Sequence, residues 1–132
     1  MDIYIKGRFD KGIGKSAVVL SNNGAFYDSK AVRWGDTISF RGYEVSADAF
    51  NCEIIAAICG VMLARKAGEQ EVTIYTNTMV HKWYSNLSYP ENRVLMRVFA
   101  SESHGMTVNA AHIAKDDENI YNIMVNDKAE TI

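Results

Sequence analysis

Most features that would narrow a protein's role at a glance are missing here. Cysteine is scarce: Cys52 and Cys59 are the only two in 132 residues. On a helix that spacing separates them by about 10 Å, beyond the reach of a disulfide, so both read as small, reduced core residues. No cysteine or histidine pair has the spacing of metal ligands. The net charge of −2 exerts no global pull toward nucleic acid or an anionic membrane. The first residues, MDIYIKGRFD, hold no apolar region long enough for a signal peptide, and a cytoplasmic location is expected. The longest apolar run, Ile54 to Ala64, is too short to cross a bilayer, so no membrane partner is expected. There is no internal repeat, low-complexity tract or linker, and the length suits a single domain, 1–132.

What the chain does have is a central unit, Glu53 to Asn77. The apolar run closes in Arg65-Lys66-Ala67-Gly68, basic residues then glycine, the mark of a helix C-terminus. A helix apolar almost all round must be buried. Val72-Thr73-Ile74-Tyr75 follows, β-branched and aromatic, and reads as a strand. Upstream, residues 2–9 alternate around Ile3, Ile5 and Gly7 as a first strand, and Ser16 to Ser21 forms a second. Asn22-Asn23-Gly24 is a hairpin turn before a returning strand, Ala25 to Val32. Arg41 to Phe50 reads as a connection, with Ser46 or Asp48 capping the long helix. Downstream, Thr78 to Asn86 is a short helix, and Pro90 opens another whose apolar face is Val94, Leu95, Val98 and Phe99. Met106 to Ala111 is a last strand, 112–119 a polar loop and Ile120 to Ala129 a last helix. Three meandering strands followed by α/β alternation imply an α/β fold, a mixed five-stranded sheet with helices packed on it.

Four stretches, in this order, resemble the ribonuclease H family: Tyr4-Ile-Lys-Gly-Arg-Phe9, Asn51-Cys-Glu-Ile-Ile-Ala-Ala-Ile58, Val72-Thr-Ile-Tyr-Thr-Asn77 and Tyr121-Asn-Ile-Met-Val-Asn-Asp-Lys-Ala129. The resemblance covers nearly the whole chain and implies a ribonuclease H-like fold. In that family four carboxylates hold two divalent cations, usually Mg²⁺, that hydrolyse a phosphodiester. Carried over, the first-strand Asp is Lys6, the fourth-strand Asp is Asn77 and the last-helix Asp is Asn126, while Glu53 keeps its carboxylate. The site charge falls from about −4 to about 0, and Lys6 repels any cation that approaches.

The resemblance therefore implies a domain without nuclease activity, with no metal or other cofactor, retained to bind nucleic acid or a protein. A Lys6–Glu53 ion pair, supported by the Asn77 and Asn126 amides, is expected to stand where the metals would. The alternative is an RNA–DNA hybrid endonuclease using Mg²⁺ or Mn²⁺ through Glu53 and nearby acids such as Asp127; a further alternative is a self-associating domain. His112 falls where the family's loop often carries an assisting histidine, though a mobile surface histidine is the plainer reading. Arg8, Lys11 and Lys15 on the first strands are candidates for a nucleic-acid backbone, a hybrid or a duplex, or else lysines guarding a sheet edge. Trp34 and Tyr43, in less regular segments, are candidates for a partner interface. The sequence does not give an oligomeric state.

Overall fold

The computed structural model describes residues 1–79 and 90–132. The first three strands are β1 (Asp2–Asp10), β2 (Ile13–Asn22) and β3 (Ala25–Trp34). They form an antiparallel meander. Both turns are of the two-residue kind with positive φ throughout: Lys11-Gly12 at 51° and 74°, Asn23-Gly24 at 52° and 79°. This geometry matches the right-handed twist of a hairpin and explains the glycine that ends each turn.

A third turn of the same kind was not expected. Arg41 and Gly42, at φ 50° and 81°, join β4 (Thr37–Phe40) to β5 (Tyr43–Ser46), a separate two-stranded sheet. The segment read as a connection, 41–50, thus holds a strand and the start of a helix. The strand is short, and only Val45 of its four residues is buried, so it gives little periodic signal.

Helix α1 (Ala49–Lys66) begins four residues before Glu53. Of the two candidate caps, Asp48 fills the position, accepting from the Asn51 N–H at 2.7 Å. The helix closes where expected, with Gly68 N–H donating to Arg65 O and Glu69 N–H to Ala64 O. Strand β6 (Glu71–Thr76) follows, then α2 (Pro90–Glu102), β7 (Thr107–His112) and α3 (Ile120–Thr131). The short helix expected at Thr78 to Asn86 falls mostly on residues outside those described.

The main sheet runs β3-β2-β1-β6-β7, with β1–β6 and β6–β7 parallel. Its two faces carry different cores. Ile3, Ile5, Val18, Leu20, Val72 and Ile74 pack with α1 and with Leu95 of α2. Ile38 and Val45 of the small hairpin join the same core. α1 is therefore covered on several sides, which is why its sequence is apolar all round. Tyr4, Ala17 and Val19 face the other way, onto Val125 and Ala129 of α3. Both cysteines are free and buried. No helix among the described residues is long and apolar enough to cross a membrane.

Candidate functional site

The first turns of α1 lie directly on β1. A Cβ built on Gly7 would stand 2.3 Å from Glu53 N, 2.4 Å from Ala49 O and 2.8 Å from the Cys52 carbonyl carbon. Backbone meets backbone there, and only glycine permits it. Next door, Ser16 Oγ donates to the Cys52 carbonyl at 2.7 Å, and Trp34 Nε1 donates to Ser16 Oγ at 3.1 Å. Trp34, partly buried, packs against the core and hydrogen-bonds to it, while Tyr43 is exposed.

This seating carries Glu53, 5% exposed, to the end of β6. The Thr76 hydroxyl donates to Glu53 Oε1, and the Thr78 hydroxyl donates to Oε2 at 2.8 Å. The Thr78 N–H in turn donates to Thr76 Oγ1 at 3.0 Å. A buried carboxylate needs such donors, since an unsatisfied charge in a low-dielectric interior is expensive.

Lys6 does not join this arrangement. Its Nζ donates to Asn77 Oδ1 at 3.0 Å, and Asn77 Nδ2 donates to Ile113 O at 3.0 Å. The ion pairs among the described residues are Arg8–Glu130 and Arg41–Glu102, so the expected Lys6–Glu53 contact is corrected to Lys6–Asn77. The cause is the pleat. Side chains alternate across a strand, and Ile3 and Ile5 face α1 while Tyr4 faces α3. Lys6 follows Tyr4, on the face away from Glu53. The same alternation on β6 sends Val72, Ile74 and Thr76 toward α1 and leaves Asn77 for Lys6.

Lys6 is half-buried, and burial pushes its pKa down. The nearby Lys115 adds to this, Glu53 opposes it, Arg8 again lowers it and Glu130 raises it. Glu53 is thus near enough to be felt but not to pair. Asn126 on α3 donates its Nδ2 to Lys115 O at 3.3 Å. Its Oδ1 is buried with no hydrogen-bond partner among the described residues. The expected quartet is therefore split, with Glu53 on one face and Lys6 with Asn77 on the other.

Of the remaining candidates, His112 ends β7 rather than opening a loop; it is paired in register with Thr76 and exposed. Arg8 reaches Glu130 at 3.0 Å, and Lys15 Nζ donates to the Glu130 carbonyl at 3.0 Å. Both therefore tie the end of α3 to the sheet, while Lys11 sits exposed in the turn. Asp127 is exposed on α3, and Asp117 accepts from the Asn119 N–H within its own loop.

Two divalent cations need several anionic oxygens. Here one carboxylate is already bonded to two hydroxyls, one amide oxygen is taken by an ammonium, and the ammonium is itself a cation. These residues do not fit a two-metal centre. Among the described residues, no group of three or more His, Cys, Asp or Glu side chains is placed to hold a metal.

The sequence reading missed Thr76 and Thr78 as partners of Glu53. The signal was there: Thr76 continues the period-two row Val72, Ile74. It also missed Asn122, whose buried Nδ2 donates to the carbonyls of Ala114, Lys115 and Asp117 and so shapes the loop before α3.

No protein-family model and no curated protein matches the chain. Solved structures do. RNase H1 of the halophilic archaeon Halobacterium salinarum superposes with a TM-score of 0.74 at 12% identity, covering 98% of this chain and 93% of that one. The N-terminal RNase H domain of a Mycobacterium tuberculosis protein, solved as a fusion with maltose-binding protein, gives 0.74 at 14% identity, covering 98% and 94%. The chain has a ribonuclease H-like fold.

Proposed function

We propose that this ribonuclease H-like domain binds nucleic acid without cutting it. The reading is carried by the Lys6–Asn77 hydrogen bond at 3.0 Å. At two positions where the resemblance puts metal-binding carboxylates stand an ammonium and an amide, bonded to each other. The chemistry that needs two cations has no seat among these groups. The remaining carboxylate, Glu53, is held by Thr76 and Thr78 and serves the packing of α1 on the sheet.

The partner follows from charge and from the neighbours of the fold. Lys115 and Arg8 depress the pKa of Lys6 while Glu53 and Glu130 raise it, and with Arg8 paired to Glu130 the cations left to repel one another there are Lys6 and Lys115. A phosphate approaching that face relieves the repulsion. The similar structures are named as ribonucleases, which favours a nucleic acid over a protein as the source of that phosphate. Arg8 and Lys15 are engaged with Glu130, which leaves Lys6, Lys11 and Lys115 as the contacts.

The test is a labelled RNA–DNA hybrid incubated with the protein in Mg²⁺ and then in Mn²⁺, with binding followed by fluorescence anisotropy across a salt series. The expected result is an intact hybrid, bound more weakly as salt rises. Cleavage that Glu53→Gln abolishes overturns the loss of activity. No binding at low salt overturns the nucleic-acid partner and returns the domain to a protein-binding role.

A further inference from the structure

β3 is an edge of the five-stranded sheet. It runs for 10 residues, and among the described residues no strand pairs with its outer side. A long open edge invites a second strand, and proteins usually blunt such edges with lysine or a bulge. β3 carries both, an exposed Lys30 and a register slip opposite Leu20 and Ser21, but the slip lies at one end and leaves residues 28–34 in unbroken register with β2. It also exposes two aromatics, Phe26 at 51% and Tyr27 at 47%. The N-terminal end of α3 reaches this end of the strand, where the Tyr121 hydroxyl donates to Gly24 O, and it exposes Ile120 and Ile123.

The charges on β3 are complementary to themselves. Asp28 lies opposite Leu20 and Lys30 opposite Val18. Both neighbours belong to the core under α1, so Asp28 and Lys30 share that face of the sheet. Neither forms an ion pair among the described residues.

We propose that β3 is a dimerisation surface, and that its occupant is β3 of a second copy of this chain, antiparallel, about a two-fold axis midway between the two copies of Ser29. A two-fold axis normal to the sheet keeps each face continuous across the joint, so the axis must lie between a residue and its own copy. Placed on Ser29, it sets Asp28 opposite Lys30 of the second copy, and Lys30 opposite Asp28. Placed on Asp28 or on Lys30, it sets like charges face to face. Placed on Ala31, it sets Lys30 against Val32 and leaves both charges unmatched. Opposite charges across a strand pair stabilise it and like charges destabilise it. The Ser29 register is thus the one in this part of the strand that the charges favour. The interface is isologous, the kind that closes at two copies. In the single chain Asp28 Oδ1 accepts from the Ser29 N–H at 2.7 Å. Pairing exchanges that local bond for the second strand's backbone and gives the carboxylate to Lys30. Tyr27, which the register with β2 skips, and Phe26 beyond it then lie at the rim of the joint and lose part of their exposed apolar surface.

Sedimentation equilibrium over a concentration series into the millimolar range tests this. The mass is expected to rise from 14.8 kDa toward twice that value. Asp28→Lys alone and Lys30→Asp alone each place like charges opposite one another, and each raises the dissociation constant roughly tenfold or more. The double reversal, Asp28→Lys with Lys30→Asp, restores it. Should a reversal unfold the chain, Lys30→Gln, which only removes the match, gives the same reading with a smaller change. A single-chain mass at every concentration overturns the proposal. So does a dimer that the single reversals leave unchanged, or one that the double reversal fails to recover.

Discussion

On one face of β1, Ile3, Ile5 and the bare backbone of Gly7 lie under α1; on the other, Tyr4, Lys6 and Arg8 lie toward α3. The α1 face is closed. Its charge is Glu53, wrapped by two threonine hydroxyls. The α3 face is half-open. Its aromatics stack, Tyr4 on Tyr75 with ring centroids 4.9 Å apart, and its cations keep some contact with water. A closed face tolerates a carboxylate only with dedicated donors. A half-open face tolerates an ammonium with one amide. The difference shows how a strand, by its pleat alone, can divide a cluster that a list of residues suggests is a single site.

The largest test of the closed face is Gly7→Ala. The new Cβ would meet the backbone of α1 at 2.3–2.8 Å, and backbone cannot swing aside as a side chain can. We expect a loss of about 3 kcal/mol in urea unfolding. Gly12→Ala is the control: it has open space around it but φ at 74°, and it is expected to lose only about 1 kcal/mol from backbone strain. Equal losses would mean that α1 can lift off β1, and that the closeness of this face carries no weight.

Much of this arrangement was legible in the sequence. The apolar girth of α1, its glycine stop and the Asn-Gly hairpin each rest on local chemistry, and each lies where that chemistry puts it. Strand β5 was not legible, because its burial comes from α1 and α2 rather than from its own alternation. At the site, the identities of Lys6, Glu53, Asn77 and Asn126 were readable, but their partners were not. The row Ile3-Tyr4-Ile5-Lys6 already puts Lys6 opposite the face that α1 covers. Four residues that match one familiar site imply nearness, whereas the alternation that divides them is carried by their neighbours. Thr76 was overlooked for the converse reason: a threonine in a strand reads as β-branched packing until a buried carboxylate is found beside it.

Alkaline pH separates one group on each face by sign, Cys52 beside α1 and Lys6 toward α3. Burial pushes the Cys52 thiol on the α1 face up to about 11 from 9.0. Above pH 9 the folded chain then holds a proton that the unfolded chain has lost, so stability falls as pH rises from 9 toward 11. The loss from this thiol is on the order of 2–3 kcal/mol. Lys6 is shifted downward from 10.5, so there the unfolded chain holds the extra proton. Its contribution to stability rises with pH until 10.5 is passed. Unfolding by urea at pH 8, 9 and 10 is expected to show a net decline, since Cys59, Tyr4 and Tyr75 are also raised by burial. Cys52→Ala should flatten the decline and Lys6→Met should steepen it. Opposite changes of slope from the two variants sharpen the comparison; the same change from both would erase it.

The smallest effect is the most specific. If the pleat divides the site, Lys6 is coupled to Asn77 and hardly to Glu53. Two double-mutant cycles measure this, one from Lys6→Met with Asn77→Ala, the other from Lys6→Met with Glu53→Gln. The first cycle should return about 1 kcal/mol, the net worth of one half-buried hydrogen bond from a charged donor. The second should stay within about 0.5 kcal/mol, since the carboxylate acts on the ammonium only at a distance. Lys6→Met keeps most of the unbranched stem and its packing while removing the ammonium, so the cycles report chiefly the bond rather than a cavity. A second cycle as large as the first would place Lys6 and Glu53 in direct contact. The two faces would then have to be redrawn as one site, with the ammonium at its centre.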